Sequence, residues 1–207
     1  MDIFSGDLPF QPNYFDIIFC TELLEHVKDV QQVFFKIKKY LSTDINSFAF
    51  VIVSNKNNFA NIKSEPHYNI PGMILLEHSK AKILWYNIRK KVNSTLEYEV
   101  YNWYSFSEYE TMANLAGLEV FVWGNNHQEF LIQDYKNTII QFNKELKDMI
   151  AELPINEIFK ESLYASLEKY CKEYKEGHDL FAIKKYKKLD LYHKYYQQTL
   201  YMLLRHA

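Results

Sequence analysis

The sequence predicts an α/β fold: a sheet flanked by helices, followed by an all-helical C-terminal extension. Three observations carry that expectation. Phe15-Asp16-Ile17-Ile18-Phe19-Cys20 is apolar at nearly every position, as in a strand covered on both faces, where a surface strand would alternate. An amphipathic helix over 29–41 and a second apolar run, Phe48 to Val53, follow it and make a parallel crossover unit. A strand, a capped helix, a glycine and another strand then succeed one another between residues 96 and 123. These observations divide the chain into 1–128, the α/β portion, and 129–207, the extension.

Taken in order, Leu8-Pro9-Phe10 is a rigid apolar corner, because proline fixes φ and pushes its predecessor into an extended conformation. Pro12-Asn13 signals a turn into the first strand. Asp29, with Gln32 three residues on, is a capping-box variant. Behind it Val30, Val33, Phe34, Ile37, Tyr40 and Leu41 recur at helical spacing. The second strand leads into a polar loop, Ser54-Asn55-Lys56-Asn57-Asn58, and 64–72 reads as an ordered loop with two prolines and a glycine. Residues 77–91 are expected to be helical and Leu96 to Tyr104 to be a strand. Ser107-Glu108-Tyr109-Glu110 reads as a capping box for a helix that stops at Gly117, and Leu118 to Trp123 as the last strand. In the extension, Ile139, Phe142, Leu146, Met149 and Ile150 form one helical stripe ended by Pro154. Ile158 to Tyr174 forms a second, ended near Gly177, and Asp179 to His206 a third.

Composition sets the outer limits. Seventeen Tyr and fifteen Phe in 207 residues supply ample core, and a net charge of −2 argues against general nucleic-acid binding. Cys20 and Cys171 lack metal-ligand spacing and fit a reducing compartment. With no signal-peptide pattern and no apolar run of roughly 18 residues, a cytoplasmic protein without membrane association is expected.

The order of apolar corner, turn, buried strand and Thr21-Glu22-Leu23-Leu24-Glu25-His26-Val27 resembles the middle of a class I S-adenosylmethionine-dependent methyltransferase. The resemblance implies a partial Rossmann-like sheet, strands four to seven of the class I fold. It implies S-adenosylmethionine as cofactor, with Asp2 and Ile3 at the adenine and Thr21 on the cofactor side of the strand end. It also implies a small-molecule or sugar acceptor, met by Glu65 and His67 of Glu65-Pro66-His67-Tyr68, which is similar to the family's substrate-side loop. Glu25 and His26 would be the catalytic pair, with His26 as general base.

Glu22-x-x-Glu25-His26 sets two carboxylates and an imidazole within one turn, where residues three apart share a face. These groups, with His67 as a fourth, are a reasonable shell for Mg²⁺ or another divalent metal, and the motif is similar to that of metal-dependent O-methyltransferases. The alternative is a hydrogen-bonded pair that only orients the loop.

One half of the expected cofactor site is missing. Its five glycines, at 6, 72, 117, 124 and 177, include no Gly-x-Gly of the kind that lets backbone approach a cofactor. Nor does the chain contain the strand that would lie beside Phe15–Cys20, which becomes a sheet edge. The chain is therefore expected to be truncated, to be completed by a companion N-terminal half or a second copy, or to cover that edge with its helical tail. The competing reading is a non-catalytic remnant that binds a partner through its sheet edge or helical tail.

Overall fold

In the computed structural model the described residues are 6–122, 134–183 and 188–207. The architecture is mixed α/β. Strand β1 (Ile17–Thr21), helix α1 (Val30–Tyr40) and strand β2 (Phe48–Ser54) form the expected crossover unit, with β1 and β2 parallel, Ile17 opposite Phe48 and Thr21 opposite Ile52. Helix α1 starts where its sequence directs: Asp29 caps it by accepting from the Gln32 N–H at 3.1 Å. Short helix α2 (Phe59–Lys63) follows β2, then α3 (His78–Val92), α4 (Phe106–Leu115) and β3 (Leu118–Val122). Gly117, at φ +76°, makes the stop between the last two, in the left-handed region that favours glycine.

Helices α5 (Tyr135–Ala151), α6 (Glu157–Ala182) and α7 (Lys188–Tyr195) come next, and then an element the sequence reading missed. Residues Thr199–His206 form strand β4, which lies antiparallel between β2 and β3 and gives the sheet order β1-β2-β4-β3. The extension is therefore not all helical, and Asp179 to His206 is not one helix. Leu200, Met202 and Leu204 are fully buried while Tyr201 is exposed, a two-residue alternation embedded in a run too apolar to display it.

Three further expectations are corrected. Leu96–Tyr104 forms no strand and pairs with none among the described residues. Its backbone bonds are scattered: Tyr101 N donates to Glu25 O at 2.7 Å, Trp85 Nε1 donates to Leu96 O at 3.1 Å, and Tyr68 Oη donates to Glu97 O and accepts from Glu99 N. The α4 capping box is Ser105/Glu108, not one beginning at Ser107: the Glu108 carboxylate accepts from Ser105 N at 2.7 Å. Replacing Ser105 by Ala should cost about 1 kcal/mol in urea unfolding, the usual worth of such a cap. Gly177 lies inside α6 rather than at its end. A Cβ there would sit 3.1 Å from the Tyr195 ring, so the glycine admits close packing by α7.

Two cores result. Cys20, Val51, Val53, Leu118, Met202 and Leu204 on one sheet face pack with α1 and α4. The other core unites α3, α5, α6 and α7 with the 98–103 segment. The opposite sheet face is uncovered among the described residues: Phe19 is 70 % exposed, and Ile17, Phe121 and Tyr201 are exposed too. The join between β2 and β4 is made by the asparagine loop. Asn55 Nδ2 donates to His193 O at 2.8 Å and Gln197 O at 2.7 Å, Asn58 Nδ2 to Tyr196 O at 2.9 Å, and Asn61 Nδ2 to Gln198 O at 2.9 Å. No described helix is long and apolar enough to cross a membrane.

Candidate functional site

The site forms at the carboxyl end of β1, where ligands sit in open α/β sheets. Glu22 adopts a left-handed conformation (φ 49°) while its N–H bonds Ile52 O at 3.0 Å. This kink ends the strand and starts a single 3-10 turn, Leu24–His26. The turn carries Glu25 inward, with 1 % of its surface exposed, and leaves His26 half-buried above it. From the other side comes the 64–72 loop, held by Glu65. That carboxylate is wholly buried and accepts from His67 N (3.1 Å), His67 Nδ1 (3.1 Å) and Tyr68 N (2.6 Å).

Glu25, His26 and His67 converge, with one ligand atom from each lying within 4.8 Å of the others. The two imidazoles meet Nε2 to Nε2 at 3.1 Å. Their other nitrogens are engaged: His26 Nδ1 with Glu99 O at 3.1 Å, His67 Nδ1 with Glu65. A carbonyl and a carboxylate only accept, so both Nδ1 atoms must donate. Each neutral ring then presents an Nε2 lone pair to the other. Two lone pairs at that distance repel unless a proton or a cation lies between them.

The electrostatics point the same way. Glu25 Oε2 is buried with no hydrogen-bond partner among the described residues. Burial, with Glu22 adding to it, holds the Glu25 carboxyl above the usual carboxylate range, against the pull of its own backbone N–H and of His26 and His67. On His67 burial disfavours the charged ring, yet the Glu65 hydrogen bond and the charges of Glu65, Glu25 and Glu22 raise its pKa overall.

Of the residues singled out from sequence, Glu25, His26 and His67 are brought together. Glu22 stands outside that group, because its left-handed backbone takes it off the helical turn on which three-residue spacing would have aligned it. Glu65 spends both oxygens inside its own loop and offers no surface to an acceptor. Thr21, exposed at the end of β1, does not join the cluster. Asp2 and Ile3 lie outside the described residues. Trp103, whose aromatic type suits core packing, is indeed buried in the core, and its ring lies 5.2 Å from that of His67. Trp103 also lines a cavity of about 450 Å³ with Tyr98, Tyr101, Tyr104, Tyr170 and Lys56.

Residues 2–44, which include Glu25 and His26, match the family model described as "Methyltransferase domain". Solved structures similar to the chain include PKMT2 from Rickettsia typhi (TM-score 0.43, 14 % identity, 100 % of this chain and 37 % of that one). Phosphoethanolamine N-methyltransferase 2 from Haemonchus contortus, in complex with S-adenosyl-L-methionine, is similar at TM-score 0.35 and 12 % identity, over 94 % of this chain and 33 % of that one. YcgJ from Bacillus subtilis is similar at TM-score 0.37 and 15 % identity, over 75 % and 56 %. The chain thus spans between a third and somewhat over half of the length of these structures. A comparison with curated proteins gives no match.

Proposed function

We propose that the chain is part of an S-adenosylmethionine-dependent methyltransferase that transfers a methyl group to an oxygen or nitrogen of a small molecule or sugar. The observation that carries this reading is the Glu25–His26–His67 cluster at the carboxyl end of β1, its first two members inside the stretch that matches a methyltransferase domain. In such chemistry the sulfonium supplies the driving force. The protein aligns donor and acceptor and, where the acceptor must lose a proton, provides a base. In a metal-free site His26 would take that role: its Nδ1 is anchored on Glu99 O, and its Nε2, turned to His67 Nε2, would exchange that partner for the acceptor's proton. The aromatic cavity beside Trp103 is the candidate acceptor space.

The cluster also fits a divalent cation. Two Nε2 lone pairs and an orphaned carboxylate oxygen are an N/O donor set, and each histidine has the outer-shell acceptor that metal-bound imidazoles usually have. Glu25, His26 and His67 would hold the ion, which would lower the pKa of an acceptor hydroxyl. Calorimetric titration of Mn²⁺ should show one site that His67→Ala abolishes and Glu65→Gln weakens by about tenfold or more, the usual cost of losing an outer-shell partner. Equal affinity in all three proteins would leave a shared proton as the link between the rings.

The cofactor's methionine end lacks a glycine-rich loop here, so we assign that half to a companion segment or a second copy. Titration of S-adenosylmethionine, with and without Mg²⁺, tests the reading. One-to-one binding supports it; no binding in either condition means that the chain alone is not an independent methyltransferase. The open sheet face keeps the second reading, a non-catalytic module that binds a partner.

A further inference from the structure

The cavity beside Trp103 lies between the loop after β2, the start of α3, the 98–104 segment and α6. Two polar side chains in its wall are deeply buried and unspent. Asn57 is 8 % exposed. Its backbone is fully used, the N–H on Asn55 Oδ1 at 3.1 Å and the C=O on Tyr170 Oη at 2.6 Å. Its side-chain amide makes no hydrogen bond among the described residues, and neither does the hydroxyl of Tyr98, which is 9 % exposed. Buried polar groups are normally paired, so two such side chains in one wall point to a ligand that pairs with them.

The unspent charge of the wall is mainly positive. Lys56, half-buried, and Lys80 have no ion-pair partner among the described residues. Lys169 stands 3.9 Å from Glu173, and the Glu108 carboxylate accepts from Ser105 N and Oγ, both at 2.7 Å. The remaining carboxylate of the wall, Glu77, is exposed. The start of α3 repeats the imbalance. Glu77 is its N-cap residue but makes no cap hydrogen bond, the first turn holds no acidic residue, and Lys80 stands in that turn. A helix start attracts anions and repels cations, so this arrangement works against the helix until an anion lies beside it. His78 fixes that start against the cavity wall: its ring stacks on Tyr101 at 5.2 Å, and its Nδ1 donates to Val100 O at 2.9 Å.

We infer that the cavity binds a small acceptor with a ring body and an oxyanion, a phosphate or a carboxylate, held by Lys56, Lys80, Asn57 and Tyr98. The ring lies against Tyr101 and Trp103. Because Trp103 belongs to this wall and also neighbours His67, the end of the acceptor away from the anion is turned toward the Glu25–His26–His67 cluster. At about 450 Å³ the cavity falls in the usual range of small-molecule sites, roughly 300–1,000 Å³. Burial, with the Glu65 charge adding to it, holds the Tyr98 phenol protonated, so it can donate to an anion. The aromatic wall alone would suit a cation equally. The two unpaired lysines decide against one, since like charges in one cavity repel. As an account of the acceptor this rests on the methyltransferase reading above; the preference for an anion belongs to the cavity itself.

The test is calorimetric titration of the intact chain, without cofactor, by phenyl phosphate, benzoate, phenol and trimethylanilinium, which keep one ring and vary the charge. The expected result is one-to-one binding of an anion at least about tenfold tighter than phenol, some 1.4 kcal/mol. That advantage should shrink as salt is raised. The tighter of phenyl phosphate and benzoate names the anionic group. Lys56→Gln and Tyr98→Phe should each weaken the anion about tenfold and leave phenol unchanged. Lys172→Gln, which removes the same charge from an exposed position of α6 outside the cavity, should change neither. Circular dichroism checks that the three variants keep the fold. Equal binding of phenol, a preference for trimethylanilinium, or no binding of either anion overturns the inference. So does unchanged anion affinity in Lys56→Gln, or an equal loss in Lys172→Gln. S-adenosylmethionine is titrated separately. Anion binding without cofactor binding sinks the methyltransferase reading and leaves the cavity's preference standing; cofactor binding without an anion preference sinks this inference alone.

Discussion

Asn55→Asp is expected to destabilise the protein by about 3–5 kcal/mol, the range for leaving a charge buried without a partner. Asn55 is fully buried, and its amide nitrogen donates to His193 O and Gln197 O, with Lys194 O at 3.4 Å behind them. A carboxylate would set an anionic oxygen among three carbonyl acceptors, where it has nothing to accept and nothing to give. Its other oxygen could keep the bond from Asn57 N, but the clamp on α7 and the entry to β4 would be lost. Asn55→Ala should cost less, about 1–3 kcal/mol, because it leaves the carbonyls unsatisfied without adding repulsion. Urea unfolding of the three proteins measures both. A loss below about 1 kcal/mol for the aspartate would mean that β4 does not depend on this clamp.

Acid should weaken the fold through His178. Only 1 % of this residue is exposed, between the rings of Tyr135 at 4.6 Å and Tyr174 at 4.4 Å, and its Nε2 is 3.0 Å from Tyr196 Oη while Nδ1 has no hydrogen-bond partner among the described residues. Burial pushes its pKa down to about 4, against the smaller opposing charge of Asp179. The folded state thus binds this proton less readily than the unfolded chain, whose histidines titrate near 6.5. Its contribution is complete above about pH 6.5 and is lost as pH falls toward 4. Across that window the loss amounts to about 3 kcal/mol, from about 1.4 per pH unit. His67, whose folded pKa is raised, works the other way, giving stability at low pH that fades as pH rises through its folded value. His178→Gln keeps an acceptor for Tyr196 but cannot titrate, so the difference between the two proteins isolates the effect. Parallel stability curves for wild type and His178→Gln between pH 4 and 7 would show that the buried ring is not responsible.

The parts legible in the sequence were those whose neighbours lie close along the chain. β1, α1 and β2 could be placed because a cap at Asp29, a 3.6-residue stripe and two apolar runs are all local signals. The same was true of Glu25 and His26, adjacent on one turn. His67 could be guessed from its loop, but its tautomer could not, since that depends on Glu65 and on a nitrogen 41 residues away. Segment 96–104 reads as a strand in the sequence, and Tyr98, Val100 and Trp103 are buried, yet its partners are the side chains of Tyr68, Trp85 and His78 and the backbone of Glu25, which no periodicity encodes. β4 hid for a similar reason. Apolar residues at 200, 202, 203 and 204 suit either element, and the deciding partners, Ala49 to Ser54 and Leu118 to Val122, lie far back in the chain.

The position of β4 also bears on how the chain is made. It is synthesised after every other described element, yet it belongs between β2 and β3, with Leu204 opposite Ala49 on one side and Val120 on the other. During translation β2 must wait on the ribosome with one backbone edge unpaired, and β3 has no neighbour until β4 emerges. Long-range pairings of this kind fold slowly and leave apolar strands open to the wrong partners meanwhile. Truncation before Thr199 would split the sheet into a parallel pair and a lone strand. Nascent chains held at that length should therefore be protease-sensitive throughout the sheet and not only at its end.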